Sequence, residues 1–325
     1  MSDRQVLLEV EHLTKTFPIQ SKTSRKKQRL YALDAVSLKL YRGETLGIIG
    51  ESGCGKSTLS RCIVSLHKPT AGKILLNGRD IARMRGAEKK AMHRKIQMIF
   101  QDPYSSLDPR KTVAQTVMEP FIIHDIQPEG MTRLDRALQL IRAVGLDQYH
   151  MHRYPYEFSG GQRQRINIAR ALTLNPEILV CDEPVSALDV SMQAQVLNLL
   201  IRLQKEFNLT YLFISHDLSV IRYISDYIAV MYLGHIVEMC PAGDIYERPL
   251  HPYTQALLSA IPPNSPFVKK QRIELQGDIP SPIGRQPGCP LASRCRHCTE
   301  RCRQERPQLR EVDKRHTVAC FLYDG

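Results

Sequence analysis

No apolar run in the chain approaches the ~20 residues that a bilayer-spanning helix needs, which excludes a spanning segment of that kind. The opening residues, MSDRQVLLEV, lack the basic region and apolar stretch of a secretory signal, so the cytosol is the expected place of synthesis and residence. Repeats of solenoid period and low-complexity tracts are missing as well, and Pro and Gly are sparse through the middle, which argues against long linkers there. What is present is ordinary for a globular protein: 42% hydrophobic and 24% charged residues in 325, enough chain for one large or two ordinary domains. The charge is lopsided, 45 Lys and Arg against 33 Asp and Glu giving +12. Five basic residues and no acid crowd into SKTSRKKQR, Ser21 to Arg29. A nucleic-acid or membrane-surface patch is one reading and a solvated loop the other. The loop is favoured, because no aromatic is interleaved for base stacking.

Apolar runs alternate in period along the middle of the chain. Glu44 to Gly50 and Lys95 to Gln101 read as buried strands, and a helix follows from Lys56. Thr132 to Gly145 reads as a helix with a Thr cap, apolar residues at Leu134, Leu138, Ile141 and Val144, and Gly145 at its end. A helix from Gln162, a strand at EILVCDE, a helix at SMQAQVLNLLIRLQKEF and a strand at LTYLFIS come next. Such alternation predicts an α/β fold, a parallel sheet covered on both faces with ligands at the carboxyl ends of its strands. After Ile261 the composition turns to Pro, Arg and Cys, so a first domain of residues 1–262 and an extension of 263–325 are expected.

The run GESGCGKST fits G-x-x-x-x-G-K-[ST] between a predicted strand and a predicted helix. Glycines there let backbone N–H groups wrap phosphate oxygens at the positive end of a helix. The expected ATP contacts are Gly50, Glu51, Ser52, Gly53, Cys54, Gly55, Lys56, Ser57 and Thr58, with Lys56 on the β/γ-phosphates and the Ser57 hydroxyl on Mg²⁺. Cys54 is read as a small residue that fits the loop, and Cys181 as a small hydrophobe in its strand. The strand ILVCDE ends in two carboxylates: Asp182 is placed to hold Mg²⁺ through its water shell, and Glu183 to orient and deprotonate the attacking water. His150 and His152 read as plain loop histidines, and HPYT, from His251, as a helix start with no chemistry.

FSGGQRQR, Phe158 to Arg165, divides the phosphate-loop ATPases, and with it the chain resembles the ATP-binding subunits of ABC transporters. The resemblance implies an ABC-type ATPase domain with a RecA-like core, an antiparallel β subdomain and a helical signature subdomain, followed by a small Cys-rich extension. It implies that Ser159, Gly160, Gly161 and Gln162 form a signature that reads the nucleotide of a partner in a head-to-tail dimer. It further implies Gln101 as a sensor of Mg²⁺ and water, Asp189 at the dimer seam, His216 on the γ-phosphate and Phe17 stacked on adenine. QMIFQDPYSSLDPR, RYPYEFSGGQRQRI and LHPYTQALLSAIP narrow the likeness to the second, F-type ATPase of oligopeptide and dipeptide importers. That implies a paralogous D-type ATPase as heterodimer partner, two membrane permeases, an external peptide-binding protein and a peripheral place on the cytoplasmic face of the membrane. Related importers carry nickel, glutathione or opines. A soluble ABC protein acting on nucleic acid or ribosomes is disfavoured, because one phosphate loop and one signature are present, and no nucleic-acid partner is expected.

PGCPLASRCRHCTERC packs four cysteines close together, and Cys320 follows later. A reducing compartment disfavours structural disulfides and favours metal ligation. Cys289, Cys295, Cys302 and Cys320 are spaced C-x₅-C-x₆-C-x₁₇-C, which is not the paired spacing of a zinc ribbon. By resemblance, these four would hold a [4Fe–4S] cluster, with Zn²⁺ and unmetallated thiols the competitors and Cys298 outside the pattern. The role expected of such a site is to staple a tail with little core of its own, so that Cys295→Ser unfolds the tail while nucleotide binding stays largely intact.

Overall fold

The computed structural model describes residues 4–19, 28–261 and 272–324. Residues 21–27 of the basic segment, and the stretch after Ile261 where the sequence begins the extension, lie outside the described residues. The chain forms two compact units. One is built from Tyr41–Thr45 and Arg83–Ile214, the other from Val6–Leu40, Leu46–Ala82 and the described residues from Ser215 on.

In the first unit the strand Ile178–Asp182 is buried at every position and pairs in parallel with Ile96–Ile99 and Thr210–Ile214. Strands buried on both faces show no alternation, which is why these read as continuous apolar runs. The helices are Gly86–Lys95, Val113–His124, Arg133–Ala143, Gly160–Leu172 and Val190–Phe207. Arg133–Ala143 starts where expected: Thr132 Oγ1 accepts from Asp135 N at 3.1 Å, and the Asp135 side chain closes a capping box. Its buried face is a correction. Ala137, Leu140, Ile141 and Val144 are buried, while Leu134 is 50% exposed. Successive residues rotate by about 100°, so Leu134 and Leu138 fall to one side of the stripe centred on Ala137 and Val144.

The second unit contains a four-stranded antiparallel sheet in the order Gln28–Tyr41, Val6–Ile19, Ala71–Leu76, Arg79–Asp80. Leu8 lies opposite Leu76 and Val10 opposite Ile74, all four buried. Thr45–Ile49 runs parallel to Tyr227–Tyr232, which pairs antiparallel with His235–Pro241. Two tail strands, His316–Val318 and Arg310–Asp313, extend that edge.

The tail is therefore held by more than its thiols. Glu238, fully buried, accepts from Leu250 N at 2.7 Å and His251 N at 2.9 Å and meets His316 Nε2 at 2.7 Å. Cys240 joins Glu238 and His316 in one tight, buried group. The buried carboxylate of Asp34 binds Arg306 and Arg285. Burial alone would raise that carboxyl, but the two guanidiniums outweigh it and hold it below the usual range. These contacts fix parts of the tail beside whatever the cysteines hold.

Candidate functional site

The residues predicted to bind or turn over nucleotide fall in two groups, one in each unit. In the second unit, the buried strand Thr45–Ile49 delivers the chain into the phosphate loop, and the helix Lys56–Ile63 leaves it. Two glycines are dictated by space. A Cβ on Gly50 (φ 154°) would lie 2.1 Å from Met231 O, and one on Gly55 (φ 110°) would lie 2.3 Å from Ala32 O. The loop is thus pressed against backbone from elsewhere in its unit, and Gly234 N donates to Cys54 O at 2.8 Å. Lys56 is only 5% exposed, and its Nζ donates to Gly50 O at 2.6 Å and Glu51 O at 3.0 Å. A cation so placed inside a ring of backbone groups suits phosphate oxygens. Burial raises the Cys54 thiol, in keeping with its reading as a small filler. Ser57 and Thr58 occupy the first turn of the helix, and Ser52 and Gly53 the crown of the loop.

His216 is exposed in the same unit. It follows Ser215, whose N–H donates to Ile48 O at 3.3 Å, and precedes Asp217, the cap of Leu218–Ile224. Phe17 is half-buried at the end of Val6–Ile19, with Lys15 Nζ 4.9 Å above its ring and His67 edge-on at 5.6 Å.

In the first unit, Asp182 ends its strand nearly buried, and Glu183 adopts φ 49°. A left-handed glutamate costs about 1–3 kcal/mol and persists where surroundings enforce it; here Glu183 N donates to Ile214 O at 3.0 Å and Ser186 Oγ to Glu183 O at 3.0 Å. That turn aims the carboxylate at Gln101, whose Nε2 donates to Glu183 Oε2 at 2.9 Å. The structure so brings together two residues 82 positions apart, Glu183 read from the end of its strand and Gln101 assigned by family resemblance. Ser159 caps Gly160–Leu172: Gln162 N donates to Ser159 Oγ at 3.3 Å, and Gln162 Oε1 accepts from Ser159 N at 3.1 Å. Ser159 and Gly160 are exposed, and Gly161 is buried against Met192. Asp189, exposed, caps Val190–Phe207 through Met192 N at 2.9 Å, and the hydrogen bonds from Met192 N and Ser191 hold its carboxyl low.

Cys289, Cys295, Cys302 and Cys320 line one cavity of ≈ 180 Å³ with Leu291 and Phe321, while Cys298 does not line it. Burial, with the neighbouring thiols adding to it, pushes Cys289 up to about 12 and Cys320 to about 11.

Two contacts escaped the sequence. Tyr253, in the run read as free of chemistry, accepts from Glu51 N at 2.9 Å, and Arg294 of the extension reaches Glu51 Oε2 at 3.3 Å. No local spacing announces either, since both partners lie some 200 or more residues away.

Comparison with known proteins decides the family. Residues 33–186 match the ABC transporter family, and residues 237–302 match the C-terminal region of oligopeptide/dipeptide transporters. The oligopeptide transport ATP-binding protein AppF of Bacillus subtilis (strain 168) is 50% identical over 99% of both chains. The chain belongs to the ATP-binding subunits of oligopeptide and dipeptide ABC transporters. The dipeptide transport ATP-binding protein DppF of Escherichia coli (strain K12) is 47% identical over 99% of this chain and 96% of its own. Among solved structures, the dimeric bacterial ABC transporter cassette MJ0796 covers 73% of this chain and 99% of its own at 31% identity and TM-score 0.63. The same cassette has also been seen bound to ADP and Pi in a dimeric post-hydrolysis state, with TM-score 0.63. A member of this family is an ABC-type ATPase. Among the described residues no helix is long and apolar enough to cross a membrane.

Proposed function

We propose that this ATPase powers the import of di- or oligopeptides, as the partner of a paralogous D-type ATPase beneath two membrane permeases served by an external peptide-binding protein. Its place is then peripheral, on the cytoplasmic face of the membrane. The observation that carries this reading is the full-length likeness to transport ATP-binding proteins, C-terminal region included.

Within the proposed site, Lys56 and the backbone N–H groups from Gly50 to Thr58 bind the phosphates, and Phe17 stacks on adenine. Ser57 Oγ would ligate Mg²⁺, with Asp182 and Gln101 on its water shell, and the ion would offset phosphate charge. Glu183 takes the proton of the attacking water, which Gln101 helps orient; their 2.9 Å hydrogen bond supports that pairing. His216 contacts the γ-phosphate. Ser159, Gly160, Gly161 and Gln162, with Asp189 beside the seam, complete the nucleotide site of the partner. The exposure of Ser159 and Gly160 supports an intermolecular role.

The four cavity cysteines would hold a [4Fe–4S] cluster, stabilising the extension. Their convergence on one cavity supports a shared site, and their spacing, unlike the paired spacing of a zinc ribbon, favours iron–sulfur over Zn²⁺. Anaerobic purification should yield brown protein with about four iron per chain; stoichiometric zinc without iron would contradict it.

The function is tested by uptake into proteoliposomes carrying the assembled importer. ATP-dependent uptake of labelled peptides is expected. Uptake of nickel, glutathione or opines in their place would assign the ATPase to another cargo.

A further inference from the structure

Glu51 is the second residue of the phosphate loop, and each of its polar groups is engaged by a different part of the chain. Its N–H donates to Tyr253 Oη at 2.9 Å, its carbonyl accepts from Lys56 Nζ at 3.0 Å, and its carboxylate meets Arg294 Nη1 at 3.3 Å. The two outside anchors are themselves well held. Tyr253 and Tyr232 are buried with rings 4.6 Å apart, and Arg294 Nη1 also reaches Tyr232 Oη at 3.3 Å. The Arg294 side chain is only 10% exposed, and its buried Nε has no hydrogen-bond partner. A guanidinium brought that far out of water with part of its donor set unused is there for charge more than for hydrogen bonds.

A carboxylate inside a phosphate-binding loop opposes the ligand, because it repels the phosphate charge that the glycines and Lys56 attract. We propose that Arg294 of the C-terminal extension is a positioning residue for nucleotide: it neutralises the Glu51 carboxylate and, with Tyr253, fixes the loop conformation in which Lys56 meets phosphate. Arg294 lies between Cys289 and Cys295, and its N–H donates to Leu291 O at 2.8 Å, so the fold of the extension sets where the guanidinium stands. The extension is then part of the ATP site, against the expectation that losing the fold of the tail leaves nucleotide binding intact.

The inference rests on the assignment of the loop to ATP, and its test separates the two. Affinities of the full chain for ATP and for adenosine are measured in wild type, Lys56→Ala, Arg294→Ala, Arg294→Lys, Glu51→Gln and the Arg294→Ala/Glu51→Gln pair, at low and high salt, alongside thermal melting. Arg294→Ala should weaken ATP about five- to tenfold, leave adenosine where it was and lessen the salt dependence, the range for a partly screened charge pair. Arg294→Lys should recover most of the loss. Glu51→Gln should bind ATP about twofold tighter or better, and removing Arg294 in that background should cost less than in wild type, because the charge it offsets is gone. Wild-type ATP affinity in Arg294→Ala overturns the proposal, as does an equal loss for ATP and adenosine, or weaker ATP binding in Glu51→Gln. Unchanged ATP affinity in Lys56→Ala overturns the loop assignment and this proposal with it. Loss in Lys56→Ala beside wild-type affinity in Arg294→Ala overturns the proposal alone.

Discussion

The loop before Lys56 and the turn before Gly160 are both glycine-bearing helix starts suited to anions, yet the chain secures them by different means. The phosphate loop is clamped from afar: Met231 and Ala32 crowd its glycines, and Tyr253 and Arg294 hold Glu51. The signature turn is secured locally, by the reciprocal Ser159 and Gln162 capping box, and it leaves Ser159 and Gly160 exposed. A site that binds its own ligand has reason to be fixed before the ligand arrives. A surface that meets a ligand carried by another chain has reason to stay open, and local capping gives it order without burial. The contrast implies that damage to the first site is felt as lost binding, and damage to the second as lost turnover.

The largest effect is expected at Lys56. Lys56→Ala should abolish tight ATP binding by the purified chain and stop transport, since the phosphates lose the cation nearest to them; isothermal titration checks this, and wild-type affinity would refute it. Glu183→Gln should keep ATP binding but slow hydrolysis by about 10²–10⁴-fold, the usual worth of a general base. Phosphate release from the assembled complex, measured with the paralogue's site also defined, is the check.

A smaller, differently placed effect is expected at the signature. Ser159→Ala loses a helix cap, about 1 kcal/mol locally, and, on the proposed reading, a donor to the partner's phosphate. Turnover by the complex should drop about 10- to 100-fold, while ATP affinity at this chain's own loop is retained. A loss of affinity at that loop instead would erase the distinction between the two helix starts.

The Thr132 cap was legible because its elements lie within four consecutive residues; the box at Ser159 spans no more, yet the helix there was read to start only at Gln162. The parallel strands were legible because burial on both faces writes itself as an unbroken apolar run. Gln101 was assigned by family likeness, and neither its hydrogen bond to Glu183 nor the left-handed backbone of Glu183 leaves a mark on the surrounding sequence. The clamps on the phosphate loop were hidden for a related reason. Tyr253 and Arg294 act through tertiary contacts, and their surroundings, HPYT and a cysteine-rich run, suggested a helix start and a metal site instead. The buried Glu238–His316 pair was missed likewise, because a charged residue in a strand reads as its solvent face until a partner is brought to it.

The smallest effect concerns the clamped unit and pH. Burial depresses the imidazoles of His235 and His251 to about 4, with the Arg306 charge adding to the effect at His235. In the unfolded chain both titrate near 6.5. Between about 4 and 6.5 the unfolded state binds protons that the folded state refuses, so their stability contribution is complete above about 6.5 and is lost as pH falls toward 4. The carboxyl of Asp34, held low by its two arginines, adds its own loss at lower pH still. Melting should therefore come roughly 5 °C or more lower at pH 5 than at pH 7.5, and His251→Asn should flatten part of the slope. A pH-independent melt would contradict the burial assigned to these rings.

The contrast between a clamped loop and an open signature is tested most directly by cross-linking. Ser159→Cys is paired with a cysteine introduced beside the phosphate loop of the partner ATPase, and the assembled importer is treated with a short thiol cross-linker with and without nucleotide. A covalent dimer formed in the nucleotide-bound complex, joining the signature of this chain to the other chain's loop, is the predicted result. Cross-linking exclusively within one chain, with the dimer absent in every nucleotide state, would contradict it.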